Sequence, residues 1–246
     1  MTSHLHWVPE LTGVDTGSLV EVTGDEAHHA VAVRRLRVGE AVVLTDGQGV
    51  AVTGSVEEVA KRRFTVRVET CDFEERPAPR FTVVQGLPKG DRGELAVEML
   101  TELGVDTVVP WAASRSVAVW RGERAEKSRS KWAATAREAA KQARRSWFPE
   151  VTGLATTDDV VELVGRAAQA FVLHEEAATP LVGVTPDPHG PILLIVGPEG
   201  GVSPAEVEQF EQAGAPAVRL GTEVLRTSTA GVVAVSALLA HSARWR

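Results

Sequence analysis

The sequence predicts an α/β protein in which a small β-rich N-terminal region precedes a mostly parallel α/β domain. Three observations carry this reading. Short Val-rich runs with alternating polarity recur before residue 72. After residue 80, apolar strands alternate with longer helical segments. Between them lies DFEERPAPR, Asp72–Arg80, which is charged, holds two prolines and shows no apolar period. That is linker composition. The expected division is a β domain over 1–72, a linker over 73–80 and an α/β domain over 81–246.

In the N-terminal region the expected strands are Leu19–Val22, Ala41–Thr45, Val50–Val59 and Phe64–Glu69. The turn DGQG, Asp46–Gly49, separates two of them, and a helix over Asp25–Arg35 interrupts the set. Together they read as a small antiparallel barrel or sandwich. Beyond the linker, Phe81–Gln85 and Thr107–Pro110 are expected strands, with a helix over Gly93–Leu103 between them. That helix places Leu95, Met99, Leu100 and Leu103 on one face. Glu123–Arg145 reads as a long basic helix, Ala170–Leu173 as a strand and Pro191–Val196 (PILLIV) as a buried strand. A helix over Pro204–Ala213, a strand over Ala217–Leu220 and a small, apolar helix over Thr229–Ala240 complete the chain. Such alternation implies a parallel sheet covered on both faces.

Composition narrows the function classes. With 24% charged and 43% hydrophobic residues, the 246-residue chain has ordinary globular content, enough for a sizeable core. No run of about 18 apolar residues occurs and the N-terminus lacks a signal-peptide pattern, so a cytoplasmic protein with no membrane partner is expected. The lone Cys71 excludes an intrachain disulfide framework and a multi-cysteine metal site. His4 and His6, and the pair His28-His29, lack carboxylate or thiol companions at ligand spacing, so no metal is expected. The net charge of −7 argues mildly against a nucleic-acid partner, but its distribution matters more. Between Trp111 and Glu150, ten Lys or Arg face four Glu, a local excess of +6. This is either a solvated helix face or a phosphate-facing stripe.

Ligands of open α/β sheets sit beyond the carboxyl ends of the strands, so the loops there are the candidate site. After PILLIV come Gly197, Pro198, Glu199, Gly200 and Gly201, then a capping box with Ser203 at N-cap, Pro204 at N1 and Glu206 at N3. The glycines permit close approach of a ligand to the backbone, or serve a tight turn alone. Neither GxxxxGK[ST] nor a strand-linked GxGxxG is present. After the next strand come Leu220 and Gly221, then Val224, Leu225, Arg226, Thr227, Ser228 and Thr229. These join glycine, arginine and hydroxyls, or else form an ordinary helix start with a surface arginine. The third strand end carries Leu173, His174 and Glu175. A lone histidine there is more often structural than catalytic.

Together the motifs GPEGG with SxxE, and LGxxVLRTxTA about 23 residues later, resemble the RsmE-type 16S rRNA uridine-N3 methyltransferases of the trefoil-knotted SPOUT superfamily. Glu102-Leu103-Gly104-Val105 with Pro110 and Arg115 is similar to the family's ELGV…P…R segment. Glu138-Ala139-Ala140-Lys141-Gln142, Arg145 and Pro149-Glu150 resemble its EAAxQ…R…PE pattern. His28-His29, Val33, Arg35 and Gly39 resemble the signature of its PUA-like RNA-binding domain. Two departures stand out: Glu98-Met99 where the family often has Gln-Lys, and Ser228 where it often has Glu. The first removes any lysine role at Met99; the second implies that a carboxylate at 228 is dispensable.

The resemblance implies a C-terminal knotted methyltransferase domain whose final segment, roughly 220–239, threads an earlier loop. It implies S-adenosylmethionine held by the three loops above, small-subunit 16S rRNA as partner and a homodimer with the knot at its interface. Uridine N3 is protonated at neutral pH. Either a base takes that proton or a cation stabilises the oxyanion developing on the ring carbonyls. Glu199 suits the first role, Arg145 and Arg226 the second; tyrosine is absent from the chain. Candidate RNA contacts are His29, Arg34, Arg35, Arg37, Lys89, Arg92, Arg115, Arg121 and Arg145. Two other readings stay open: a SPOUT methyltransferase acting on another rRNA or tRNA site, and a non-catalytic RNA-binding ribosome-assembly factor.

Overall fold

The computed structural model of the chain describes residues 4–245. They fall into two compact units. The first comprises the chain up to Arg76 together with Ala140–Phe148, and the second Pro77–Ala139 with the chain from Pro149 onward.

The first unit is a five-stranded sheet of order β1-β3-β4-β5-β2, built from β1 (His4–Trp7), β2 (Leu19–Thr23), β3 (Ala41–Thr45), β4 (Val50–Ala60) and β5 (Arg63–Phe73). Its pairs are antiparallel except β1 with β3, which run parallel. The alternating residues Val20, Val22, Val52, Phe64 and Val66 bury one face of the sheet. The helix expected over Asp25–Arg35 is two pieces, α1 (Gly24–His28) and a π-helical turn at His29–Val33. Strand β1, with only four residues, is an addition to the expected set.

Ala140–Phe148 belongs to this unit through side chains that the sheet and its turns receive. The rings of Phe148 and Trp147 lie where Cβ atoms of Gly47 and Gly49 would stand, at 2.8 and 2.7 Å. The Trp147 indole N–H donates to the Glu74 carbonyl at 2.8 Å. The Lys141 ammonium donates to Glu26 Oε2 at 2.7 Å, and His6 Nδ1 lies 3.0 Å from Oε1. Burial pushes the Glu26 carboxyl up, but the hydrogen bonds from His6 and Lys141 outweigh it and hold it below the usual range.

The second unit is a six-stranded, all-parallel sheet of order β11-β9-β10-β6-β7-β8. Its strands are β6 (Phe81–Gly86), β7 (Thr107–Trp111), β8 (Glu150–Val151), β9 (Gln169–Leu173), β10 (Ile192–Val196) and β11 (Ala217–Val218). Its helices are α2 (Arg92–Glu102), α3 (Glu123–Gln142), whose last turn belongs to the first unit, α4 (Thr157–Arg166), α5 (Pro204–Ala213) and α6 (Thr227–Ala240). PILLIV is continuously apolar because both faces of β10 are covered. Ile192, Leu194 and Val196 join the cluster with Ala234, Val235 and Leu238 of α6, whereas Leu193 and Ile195 join Val160, Val164 and Phe210 of α4 and α5.

The structure departs from the expected elements at several points. The buried face of α2 is Gly93, Ala96, Val97, Leu100 and Thr101, while Leu95 is 46% exposed. The reason is close packing: a Cβ at Gly93 would sit 2.3 Å from the Trp132 ring of α3, which takes the helix face that Gly93 opens. The long basic helix stops at Gln142, three residues before the expected end, and Arg144 takes a left-handed φ of 55°. Strand β11 ends at Val218 instead of Leu220, so the following loop starts two residues early. Helix α4 was not expected, although Thr156 and Asp159 form a complete capping box at its start. The return segment passes the chain before β10: the Leu181 N–H donates to the Arg219 carbonyl and the Arg219 N–H to the Thr179 carbonyl, each at 2.9 Å. α6 then packs on β6, β10, α2 and the turn at Leu181–Gly183.

Candidate active site

The carboxyl ends of β9, β10 and β11 surround a cleft of about 370 Å³ in the second unit. Each wall follows from local sequence. Beyond β10, the loop Gly197–Val202 is pinned at its far end by the capping box of α5. Ser203 Oγ accepts from the Glu206 N–H at 3.3 Å, and Glu206 Oε2 accepts from the Ser203 N–H at 2.9 Å. Glu206 also takes the Ser114 N–H at 2.7 Å and the Ser114 hydroxyl at 2.8 Å, tying in the loop after β7. Burial raises its carboxyl, and the bonds from Ser114 and Ser203 more than offset this, leaving it below the ordinary value.

Gly200 is a glycine for close packing. A Cβ there would meet the Arg115 carbonyl oxygen at 2.9 Å. The Arg115 guanidinium also donates to the Gly200 carbonyl at 3.3 Å. Gly200 therefore serves the contact with the 113–116 loop as well as lining the cleft. Gly221 is different: the nearest atom to a Cβ there is Glu223 Oε2, at an ordinary 3.6 Å.

The three predicted loops converge. Leu173–Glu175, Val196–Gly201, Leu220-Gly221 and Val224–Thr227 all line the cleft. Ser228 and Thr229 do not: Ser228 is buried, and the Thr229 hydroxyl donates to the Arg226 carbonyl at 3.1 Å. Val202, Val218, Arg219, Glu223 and Ala230 line it too and escaped the sequence reading. For Val218 and Arg219 the cause is the early end of β11. Arg92, expected to meet RNA, lines the cleft beside Glu199 at 4.0 Å.

Of the proposed catalysts, Arg226 and Glu199 line the cleft, while Arg145 belongs to the first unit and is not part of that lining. Glu199 accepts the Lys89 backbone N–H at 3.1 Å, so its carboxylate fixes the turn before α2. His174 Nδ1 accepts the Glu176 N–H at 3.2 Å, a local turn bond. Among the RNA candidates, Arg34 contacts His4 and His29, and Arg35 has a left-handed φ of 57°. Among the described residues no group of His, Cys, Asp and Glu forms a metal site, and no helix is long and apolar enough to cross a membrane.

A parallel sheet with a cleft beyond its strand ends, following a small β unit, defines a class. The RNA methyltransferase domain profile matches residues 74–239 and the RNA methyltransferase PUA domain profile residues 22–69. A ribosomal RNA small subunit methyltransferase E of Mycobacterium bovis is 43% identical over 249 residues, covering 100% of this chain and 94% of its own. The Bacillus subtilis protein of that name is 31% identical, covering 92% and 91%. The crystal structure of a ribosomal RNA small subunit methyltransferase E from Neisseria gonorrhoeae bound to S-adenosyl methionine superposes with a TM-score of 0.86 at 27% identity, covering 97% and 98%. The chain belongs to the ribosomal RNA small subunit methyltransferase E family.

Proposed function

We propose that this protein transfers a methyl group from S-adenosylmethionine to N3 of one uridine in small-subunit 16S rRNA. The observation that carries the reading is the convergence of the loops after β9, β10 and β11 on one cleft. Its volume, about 370 Å³, falls in the range of roughly 300–1,000 Å³ typical of small-molecule sites. Its lining fits the cofactor: apolar Leu173, Val196, Leu220 and Leu225 suit an adenine, and the arginines and glutamates at the rim suit its polar groups. When bound, S-adenosylmethionine supplies an electrophilic methyl on a sulfonium.

The chain's own task is to align the acceptor and exclude water. Arg226 at the cleft is our choice for stabilising negative charge on the uracil carbonyls as N3 loses its proton. Glu199 is tied to the Lys89 amide, so we assign it first to shaping the site and second to accepting a proton. Arg145 remains a candidate for the target base on the family pattern alone. His29, Arg34, Arg35 and Arg37 of the first unit, with Lys89, Arg92, Arg115 and Arg121, are proposed phosphate contacts, which position RNA without reading its sequence. A homodimer is proposed through the α2–α6 face, where Leu95 and Val233 are exposed. Cytoplasmic action follows from the substrate.

Nucleoside analysis of small-subunit rRNA from cells lacking the protein tests the reading. Loss of N3-methyluridine, restored by the intact gene and not by Arg226→Ala, is expected. An unchanged N3-methyluridine content, or loss of a ribose methylation instead, contradicts it.

A further inference from the structure

Strand β6 carries Phe81 and Val83 into the apolar cluster beneath α6. Two residues on, at the same pleat position, stands Gln85, only 1% exposed. A buried amide in such surroundings is costly unless it is hydrogen-bonded. Gln85 Nε2 donates to Thr227 Oγ1 at 2.8 Å and to the Gly86 carbonyl at 3.2 Å. Thr227, itself 6% exposed, has a single hydroxyl proton, and it goes to the Gly197 carbonyl at 2.7 Å. Its oxygen is therefore left to accept from Gln85, which fixes the direction of the whole chain of bonds.

The amide cannot be turned over. A flipped side chain would set Oε1 against the Gly86 carbonyl, acceptor to acceptor. In the observed orientation Oε1 is buried with no hydrogen-bond partner among the described residues. The side chain thus carries one unsatisfied oxygen in order to deliver two donors. Both donors end on the same corner of the cleft. One reaches the Gly197 carbonyl through Thr227. The other reaches Gly86, whose Cβ position lies 2.7 Å from the Pro198 ring.

We propose that Gln85 is a positioning residue for the cofactor, acting through Thr227 to set Gly197 and Pro198 and so the shape of the loop that cradles S-adenosylmethionine. This rests on the cofactor reading of the cleft given above. Gln85 is not among the cleft-lining residues, so it acts only through these partners. The chain links the end of β6, the first residue of α6 and the first residue after β10, three segments distant in sequence. The Thr227 hydroxyl thereby holds the Gly197 carbonyl at the point where the loop leaves β10.

The test is calorimetric titration of S-adenosylmethionine into the full chain, with thermal melting of the ligand-free protein alongside. Gln85→Leu replaces the amide by a side chain of similar size that suits the apolar cluster. We expect its ligand-free melting temperature to stay close to the parent's, while the Kd for S-adenosylmethionine rises about tenfold or more. Thr227→Val should lose a similar factor and Thr227→Ser, which keeps the hydroxyl, very little. Because both groups act along one chain, the double variant should be no weaker than the weaker single. In turnover, KM for S-adenosylmethionine should rise while RNA affinity stays put.

An unchanged Kd in Gln85→Leu overturns the proposal. So do losses that multiply in the double variant, or a loss matched by a large fall in ligand-free melting temperature, which marks a merely structural residue. If Gln85→Leu does not fold, the Thr227→Val and Thr227→Ser pair decides: equal affinities overturn it. A parent chain that binds no S-adenosylmethionine sinks the cofactor reading as well, whereas a parent that binds while Gln85→Leu binds equally sinks only the role of Gln85.

Discussion

Gly200 and Glu206 show how individual residues shape the cleft before any ligand arrives. A Cβ at Gly200 collides with the Arg115 carbonyl oxygen, so Gly200→Ala should destabilise the folded protein by about 1–3 kcal/mol, as overpacking does. Denaturant unfolding measures this; an unchanged midpoint would mean the 113–116 loop yields freely. Glu206 accepts four hydrogen bonds from Ser114 and Ser203 while only 5% exposed. Glutamine would turn an NH₂ group toward donors, so Glu206→Gln should cost about 1–3 kcal/mol. Both Glu206 and Glu26 have carboxyls held below their ordinary values in the folded state. A depressed folded pKa means the unfolded chain binds protons first as pH falls. Their contribution is therefore complete above the ordinary carboxylate range and is lost as pH drops through their folded values. Stability curves of the parent should fall more steeply below about pH 4.5 than those of a Glu206→Gln variant. Parallel curves would remove Glu206 from that account. At this scale the sequence was partly readable. GPEGG and Arg226 announced a ligand loop, and Ser203–Glu206 announced its anchor. Gln85 did not stand out because a strand ending FTVVQG gives no sign of where a side chain's partner, 142 positions away, will lie.

Elements were legible where the periodic signal was long and capped. Helix α5 occupies the expected Pro204–Ala213 because Pro at N1 and the capping box fix its start and Gly214, at φ 108°, its end. β10 is the expected buried strand because five apolar residues in a row need two covering layers. Legibility failed at short or tertiary-determined pieces. β1 has four residues and exists by pairing in parallel with β3; β8 has two residues and extends the sheet past β7. The face of α2 matches the expected stripe in part: Leu100 is buried and Leu103 packs on the core, whereas Leu95 is exposed because Gly93 admits the Trp132 ring and turns Ala96 and Val97 inward. Leu194, fully buried between α6 and the sheet core, offers a check on that packing. Leu194→Ala should cost about 2–5 kcal/mol, read from the shift in urea midpoint. A cost under 1 kcal/mol would show a loosely packed centre.

At the scale of the whole molecule, the division into two units changes what truncation means. Residues 140–148 lie in the second half of the sequence yet pack within the first unit, through Lys141 on Glu26 and the Trp147 and Phe148 rings on Gly49 and Gly47. Removing residues 1–71 should therefore take Glu26 from Lys141 and Gly47 and Gly49 from the Phe148 and Trp147 rings, leaving residues 140–148 open to proteolysis, while S-adenosylmethionine binding by the cleft persists. A truncated protein cleaved no faster within residues 140–148 than the parent would contradict that packing. No local pattern could have announced this arrangement, because a helix continuing smoothly from Glu123 gives no hint that its last turn changes allegiance. The route of the last segment past Thr179–Leu181 is equally non-local; only the family resemblance pointed to it. The central claim is that the cleft beyond β9, β10 and β11 holds S-adenosylmethionine, and Gly221 tests it most directly. A Cβ there meets nothing closer than 3.6 Å and Gly221 lines the cleft, so Gly221→Leu should be tolerated by the fold while narrowing the cleft. The measurement is calorimetric titration of S-adenosylmethionine into parent and Gly221→Leu, each first shown to melt alike. The expected result is one cofactor per parent chain and a loss of about a hundredfold or more in the variant, roughly 2.7 kcal/mol; equal affinity in two equally folded proteins would contradict the account.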